Sequence, residues 1–506
     1  MRHVAAAAAL WLTAACAAPS TSPDYVTVAL ANSPTGLDPA ISLDEASQKI
    51  EQVLFSSLMK IDANLRVVPD LAVRFDSPDS QTFIAGIPPG VRFHDGREMT
   101  SADVAFTFRR FLDPKFVSGR KGAYRGLAAV EELDRYTVAF RLRQPSATFP
   151  IVLVMGIVPA GTGPDAARRP VGSGPYRLVE FVPDDHVTVA AFDGYVGGPP
   201  RNAGVIFKVV PDETMRGLEL RKGSVDLVVN DLSPDLVFGL QRDGRLRVAT
   251  GEGTDYAYIG FNLRDPVLRD RRVRLAVSHA VDREAIIEHL RRGLARRTTS
   301  VVPPMSWAYE RNVPAIEHDP AKARALLDEA GYPDPDGDGP APRLRLTLKT
   351  STAEPYRVQA AVIQRQLADA GIAVDVRSYE FATLMADVVR GNAQMYTLQY
   401  VGVTDPDMLR RAFHSAQVPP DGFNRGHYAN PDVDRLIDLA TAALDETERG
   451  ELYREVQKRI AADAPYVDLW TKVNVAVSQP TLSGIALSPT ADFLFLKDVV
   501  KSRDYR

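Results

Sequence analysis

The stretch that most constrains the fold runs from His318 to Val401, where helical and strand periodicities alternate. "HDPAKARALLDEAGY" sets Asp319 as an N-cap and Pro320 at the first helical position. It turns Leu326, Leu327 and Ala330 inward and stops at Gly331. "RLRLTLK", from Arg343 to Lys349, alternates polar and apolar residues as a half-buried strand does. A helix is expected over about Tyr356 to Ala370, stopped by Gly371, and "IAVDV" then supplies a second strand. Phe381 to Arg390 forms a further helix closed by Gly391, and "MYTLQYV" a third strand. This βαβαβ order predicts an α/β fold with a largely parallel sheet and helices on its faces. Ligands of such sheets sit beyond the carboxyl ends of the strands, so the segment following Tyr400 matters most.

The chain is long enough for more than that unit. Its 506 residues correspond to roughly three domains at ~150 residues each. The net charge is −4, and no block of like charges is long enough for a nucleic-acid arm or a polybasic membrane patch. "RDRRVRLAV", from Arg269 to Val277, mixes Arg with Asp and apolar residues at helical spacing and reads as a solvated helix face. No nucleic-acid partner is expected.

The N-terminus reads as a targeting segment. Arg2 precedes an apolar run from Val4 to Leu12, too short for the ~20 residues a membrane span needs. Cys16 is the only cysteine, which excludes a disulfide scaffold. "LTAAC" resembles the lipobox at which bacterial lipoproteins are cleaved and acylated, with Thr13 where Leu is usual. "Ala15-Cys16-Ala17" can alternatively be read as an ordinary signal-peptide cleavage site. The "APSTSPD" that follows suits a tether. The expectation is an exported protein, periplasmic or at the cell surface, held to a membrane by lipid on Cys16.

"VRFHDGREMTSADVAFTF", from Val91 to Phe108, places His94 beside Asp95 and invites a catalytic or metal-binding reading. Thr100 and Asp103 have the spacing of a capping box, so a helix should start at about Ser101. Val104, Phe108, Phe111 and Leu112 then share one face, and Asp113-Pro114 ends the helix. His94 and Asp95 therefore belong to a turn that Gly96 permits. "PDPDGDGP" opens like a calcium loop, but Arg345 stands where the glutamate ligand is required, leaving an acidic surface turn. G-x-S-x-G, H-E-x-x-H, C-x-x-C and the P-loop are absent, and the eight histidines are scattered. No catalytic residue, metal site or cofactor is expected, and the chain is not expected to be an enzyme.

"GVRFHDGREMTSADVAFTFRRFLDP" resembles the signature of the family 5 extracellular solute-binding proteins, receptors of ATP-binding cassette importers. "RRPVGSGPYRLVEF" is similar to the family's P-V-G-T-G-P-Y motif, with Ser173 for Thr. "LRKGSVDL", "IGFNLRDPVLRDRRVRLAVSHAVDREAII", "NRGHYANPDVDRLIDLA" and "ELYREVQKRIAADAPYVDLW" continue the resemblance in order. It implies a two-lobed periplasmic-binding-protein-like fold, type II, of the large cluster with an extra inserted domain. The implied division is leader and tether 1–23; domain I at 24–45, 168–260 and 478–506; domain II at 46–167; domain III at 261–477. Hinge crossings would lie near Phe261 and Val477. The implied function is a receptor that closes on a peptide or peptide-like solute and delivers it to the permease subunits of an importer; the same fold alternatively serves a non-peptide solute such as an oligosaccharide or a metal chelate, or a non-transport sensor, and a monomer is expected.

The resemblance also locates a cleft. "LQYVGVTDPDMLRRAFHS" is similar to the loop that follows W-x-x-D in peptide binders. It puts Gln399 at the tryptophan position and Gly402 at that of the acid that pairs with a peptide's α-ammonium. With no side chain at Gly402, unmodified peptides lack that partner unless Asp405 supplies it. The candidate ligand contacts are Tyr124, Tyr256, Tyr258, Gln399, Tyr400, Gly402, Asp405, Asn424 and Arg425. Asn262 is expected to stabilise the hinge strand.

Overall fold

In a computed structural model that describes residues 24–337, 339–420 and 422–502, eleven strands form one sheet. They are β1 (Tyr25–Leu30), β2 (Tyr176–Val182), β3 (His186–Ala191), β4 (Gly204–Val209), β5 (Leu227–Val229), β6 (Arg247–Phe261), β7 (Ala295–Arg297), β8 (Leu344–Ser351), β9 (Ile372–Tyr379), β10 (Met395–Tyr400) and β11 (Tyr466–Ser478). The order is β9-β8-β10-β6-β11-β5-β1-β4-β3-β2, with β7 paired to β11. The leader and Cys16 lie outside the described residues, as do 503–506. No helix among the described residues is long and apolar enough to cross a membrane.

The expected βαβαβ unit is present. β8 runs parallel to both β9 and β10. Four helices matter below: α1 (Ser101–Arg109), α2 (Pro320–Glu329), α3 (Glu354–Asp369) and α4 (Phe381–Arg390). The Asp319 side chain caps α2 by accepting from the Lys322 amide at 2.9 Å. Ala323 and Leu327 are the fully buried residues of α2, with Leu326 and Ala330 half-buried against the same core. Gly371 and Gly391 follow α3 and α4 with positive φ, the conformation in which a side chain is strained.

Two strands are long enough to belong to two bodies. The first part of β6, Arg247 to Glu252, pairs with Ser478 to Val473 of β11. A register shift follows, and Tyr256 to Gly260 then pair with Thr471 to Tyr466. Core membership changes at the same place. Val248, Val473, Val475 and Val477 pack with β1, β5 and the helix Pro234–Asp243, whereas Ala257, Ile259, Val467 and Leu469 pack with α2, α3 and β8. The change of core thus falls over residues 252–256 of one strand and 470–473 of the other.

The remaining segment between β1 and β2 builds its own four-stranded antiparallel sheet from Arg74–Asp79, Thr82–Gly86, Thr137–Leu142 and Leu127–Asp134. α1 lies against it, burying Val104 and Phe108 as the periodicity requires. The Asp103 carboxylate accepts from the Thr100 amide at 2.8 Å and from the Ala160 amide at 2.8 Å. The 3₁₀ turn that follows ends at Leu112, before Asp113-Pro114.

Candidate functional site

β6 and β10 are antiparallel neighbours, with Tyr256 opposite Tyr400 and Ala257 opposite Gln399. Alternation sends the side chains of Tyr256, Tyr258 and Tyr400 to one face. There they stack with Tyr466: ring centroids are 5.6 Å apart for Tyr256–Tyr258, 5.0 Å for Tyr258–Tyr400 and 4.3 Å for Tyr258–Tyr466. Arg425 reaches over Tyr400 and Phe423 at 5.3 and 5.0 Å, and its Nη1 donates to the Tyr258 hydroxyl at 3.1 Å. The Tyr256 hydroxyl donates to Asp468. All four tyrosines are buried, and burial pushes their hydroxyls well above the usual tyrosine range. This face is the core of the second lobe, stiffened by aromatic contact.

The other face, at the carboxyl end of β10, is different. Gly402 has φ +64°, and a Cβ built there would meet nothing within 4 Å. Val401 beside it is 75% exposed. The Asp255 carboxylate reaches across from β6, accepting from the Gly402 amide at 2.9 Å and from Gln399 Nε2 at 3.1 Å. The Thr254 carbonyl accepts from the Val403 amide at 3.2 Å. Two residues earlier, a Cβ on Gly253 would run into the Lys472 carbonyl and the Asn474 side chain, whose amide donates to the Glu252, Ser488 and Pro489 carbonyls. Asp255, Gln399, Val401 and Gly402 therefore gather where the chain passes from one lobe to the other. They lie at the carboxyl end of β10, a strand parallel to β8, which is the end at which α/β sheets carry ligands.

The sequence model described as "Bacterial extracellular solute-binding proteins, family 5 Middle" matches residues 66–418. The chain belongs to this family of receptors. The oligopeptide-binding protein AppA of Bacillus subtilis is 30% identical over 91% of this chain and 88% of its own length. The glutathione-binding protein GsiB of Salmonella paratyphi A is 30% identical over 96% and 97%. The solved structure of AppA in complex with a nonapeptide superposes with a TM-score of 0.75 at 28% identity, covering 94% of this chain and 99% of that one.

In this family 5 chain the expected site residues do not all come together. Tyr124 is in the core of the inserted domain, stacked on Phe111 at 3.8 Å, with its hydroxyl donating to the Val152 carbonyl at 2.9 Å. Asn424 is buried and spans the turn it sits in, donating to the His414 and Tyr428 carbonyls and accepting from the Tyr428 amide. Asp405 does not take the place left open by Gly402. Its carboxylate accepts from the Asp407 amide at 2.7 Å, a turn-forming bond, and burial raises its pKa. Asn262 donates to the Gly391 carbonyl at 3.0 Å and holds the end of β6.

Asp255 is the residue that sequence reasoning missed. Its only local signal is an acidic residue one place ahead of the alternating tyrosines. Its proximity to Gly402 comes from the β6–β10 pairing, 147 positions apart. Among the described residues, no group of three or more His, Cys, Asp or Glu is placed to hold a metal ion.

Proposed function

We propose that this receptor works outside the cytoplasm, its two lobes closing on a short peptide or peptide-like solute and presenting it to the permease subunits of an ATP-binding cassette importer. The observation that carries the reading is the double crossing of β6 and β11, with an open strand end beside it. Two adjacent strands that change body at one level make a hinge, and closure about it buries whatever lies against Val401 and Gly402. The hinge is assigned to residues 252–256 and 470–473, in place of the expected crossings at Phe261 and Val477. Domain III then begins at about Tyr256 and ends at about Trp470, with 46–167 as the inserted domain.

Peptide is favoured over other solutes because the relatives that match along nearly the whole chain include an oligopeptide-binding and a glutathione-binding protein. An exported location, a lipid anchor on Cys16 and a monomeric state belong to the same proposal. Gln399, Gly402 and Asp255 are its ligand-facing residues; Tyr256, Tyr258, Tyr400 and Arg425 support the cleft from behind. Native mass spectrometry of the protein as purified, followed by calorimetry on the ligand-stripped form, tests it. Copurified peptide masses and micromolar binding of peptides are the expected result. A copurified saccharide or metal chelate, with no binding of peptides, would overturn it.

A further inference from the structure

We propose that the cavity between a hairpin of the inserted domain and the second lobe is a further ligand site. It takes a small organic anion carrying two or more carboxylate or phosphate groups, and its occupation favours the closed receptor. The site stands apart from the strand end at Gly402 and is indifferent to which solute fills the cleft.

The hairpin of Met59–Ile61 and Val67–Pro69 brings Asn64 and Arg66 against the second lobe. Trp307, Tyr309 and Arg311 of the segment 303–312, with Arg454 of the helix Glu446–Asp463, supply the facing wall. The space between them is about 450 Å³, within the range of roughly 300–1,000 Å³ usual for small-molecule sites. None of Asp255, Gln399, Val401 and Gly402 lines it.

Three guanidinium groups line this space, and one of them has a carboxylate partner. Arg66 gives its Nε to Glu446 at 2.8 Å. Glu310, the acidic residue of the lining, is buried; it accepts from the Asn312 amide at 2.7 Å and pairs with Lys458 at 3.2 Å. Asp62 serves its own turn, accepting from the Asn64 and Arg66 amides at 2.8 Å. Glu446 thus balances Arg66, and Lys458 balances Glu310. Arg311 and Arg454 are left, neither with a carboxylate partner among the described residues.

An unpaired arginine on a surface is ordinary, but the wall that carries this pair is held in place. A Cβ on Gly450 would stand 3.1 Å from Arg454 Nη1 and 3.3 Å from the Trp307 ring. Glycine weakens a helix interior, and here its missing side chain lets the Arg454 guanidinium lie along the helix against Trp307. The Trp307 ring has Arg449 over it at 5.0 Å and Tyr453 edge-on at 6.4 Å. Gln457 ties the segment down, donating from Nε2 to the Ala308 carbonyl at 2.8 Å and accepting from the Glu310 amide at 3.3 Å. Guanidinium groups on such a fixed frame lose little freedom on binding, and their forks suit the paired oxygens of carboxylate and phosphate alike.

The link to closure comes from the two origins of the walls. Arg66 belongs to the inserted domain, Arg311 and Arg454 to the second lobe, so all three meet one anion only while these bodies are together. An anion that binds the closed arrangement better shifts the equilibrium towards it. By reciprocity it tightens solute binding in the cleft.

Calorimetry and native mass spectrometry with citrate and with pyrophosphate, in sodium chloride of roughly 0.15 M, test the site. One anion per chain should bind, with Kd of about 100 μM or below. Preference for citrate assigns a polycarboxylate, and preference for pyrophosphate a phosphate-bearing ligand. Arg311→Gln with Arg454→Gln should weaken binding about tenfold or more, and Arg311→Gln alone by part of that. Arg435→Gln, at an exposed position outside the lining, should change it less than about twofold. Melting temperatures should hold, since none of these arginines forms an ion pair among the described residues. Small-angle scattering of ligand-stripped protein should show a smaller radius of gyration when the anion is added. Binding of neither anion, full binding by the double variant, or equal weakening by Arg435→Gln overturns the site. Binding at an unchanged radius of gyration overturns its link to closure.

Discussion

His94 Nδ1 lies 3.2 Å from the amide nitrogen of Gly172 and accepts its hydrogen. The same ring donates from Nε2 to the Gly174 carbonyl at 3.2 Å, and the His94 amide donates to the Gly172 carbonyl at 2.8 Å. The turn read from "FHDG" is thus bound to the "GSG" loop by an imidazole that must stay neutral. Burial lowers its pKa to about 4, and a proton on Nδ1 would face the Gly172 N–H.

The pH dependence follows in sign. The folded pKa lies below the ordinary value of 6.5, so the unfolded chain binds the proton more readily. The stability contributed by neutral His94 is complete above pH 6.5 and is lost as pH falls towards about 4, by up to about 3 kcal/mol. Denaturant unfolding at a series of pH values, with His94→Gln as the reference, isolates this part. If both proteins lose stability in parallel over that window, His94 is not the titrating group. Ligand affinity at neutral pH should stay within about threefold on His94→Ala, because the ring serves a turn.

Asp103 supports the start of α1 and the inserted domain together. Its carboxylate satisfies the Thr100 and Ala160 amides, and the Thr100 hydroxyl donates to it at 3.1 Å. Asp103→Ala leaves two amides without their acceptor and should cost about 2–3 kcal/mol. Thr100→Ala removes one hydroxyl and should cost about 1 kcal/mol or less. Equilibrium unfolding checks the ranking, and a larger loss from Thr100→Ala would contradict it.

Local signals were legible in the sequence where their cause is local. Asp319 with Pro320, Gly371 after α3 and Gly391 after α4 marked their helices because capping and positive φ act within a few residues. Tyr256 and Tyr258 stand two apart in one strand and so share a face, which the β6–β10 pairing extends to Tyr400, but period two cannot say which face meets solvent. They turned out to line the core, since β10 and β11 flank β6 and close that side with Tyr400 and Tyr466. Tyr124 misled for the same reason: an aromatic residue in a loop carries no mark of the ring it will stack on. The crossing at 252–256 is a register shift between strands more than 200 residues apart, and the Asp255–Gly402 contact depends on strand pairing. Neither leaves a periodic trace.

Anchoring is tested at Cys16, the only cysteine of the chain. Cys16→Ser should move the protein from the membrane fraction to the soluble exported fraction while circular dichroism and melting temperature stay the same. One acyl chain gives only marginal membrane binding, so stable retention requires more than one. Wild type already found free in the soluble exported fraction would refute the anchor.

The last prediction concerns closure far from the strand end. The inserted domain touches the second lobe through the Ala147 amide, which donates to the Thr441 carbonyl at 2.9 Å, and through Arg449 Nη1, which donates to the Ala147 carbonyl at 3.1 Å. Arg449 also lies over the Trp307 ring at 5.0 Å, and the Trp307 amide donates to the Asn64 carbonyl at 3.3 Å. Arg66 and Glu446 add an ion pair at 2.8 Å, but both are more than 40% exposed, so it should contribute under about 1 kcal/mol. Arg449 is the side chain that joins these contacts, which bridge the 46–167 segment and the body carrying Thr441, so lobe opening is expected to break them. Arg449→Ala should therefore lower the closed population and weaken every solute by a common factor of about three to ten, mainly through faster release. The ranking of solutes should not change, because Arg449 acts on closure and not on selection. Glu446→Ala should alter affinity by less than about threefold. Stopped-flow release rates and small-angle scattering, with melting temperature as a control, separate these effects. A folded Arg449→Ala variant with wild-type affinity and release rate would remove this contact from the closing mechanism.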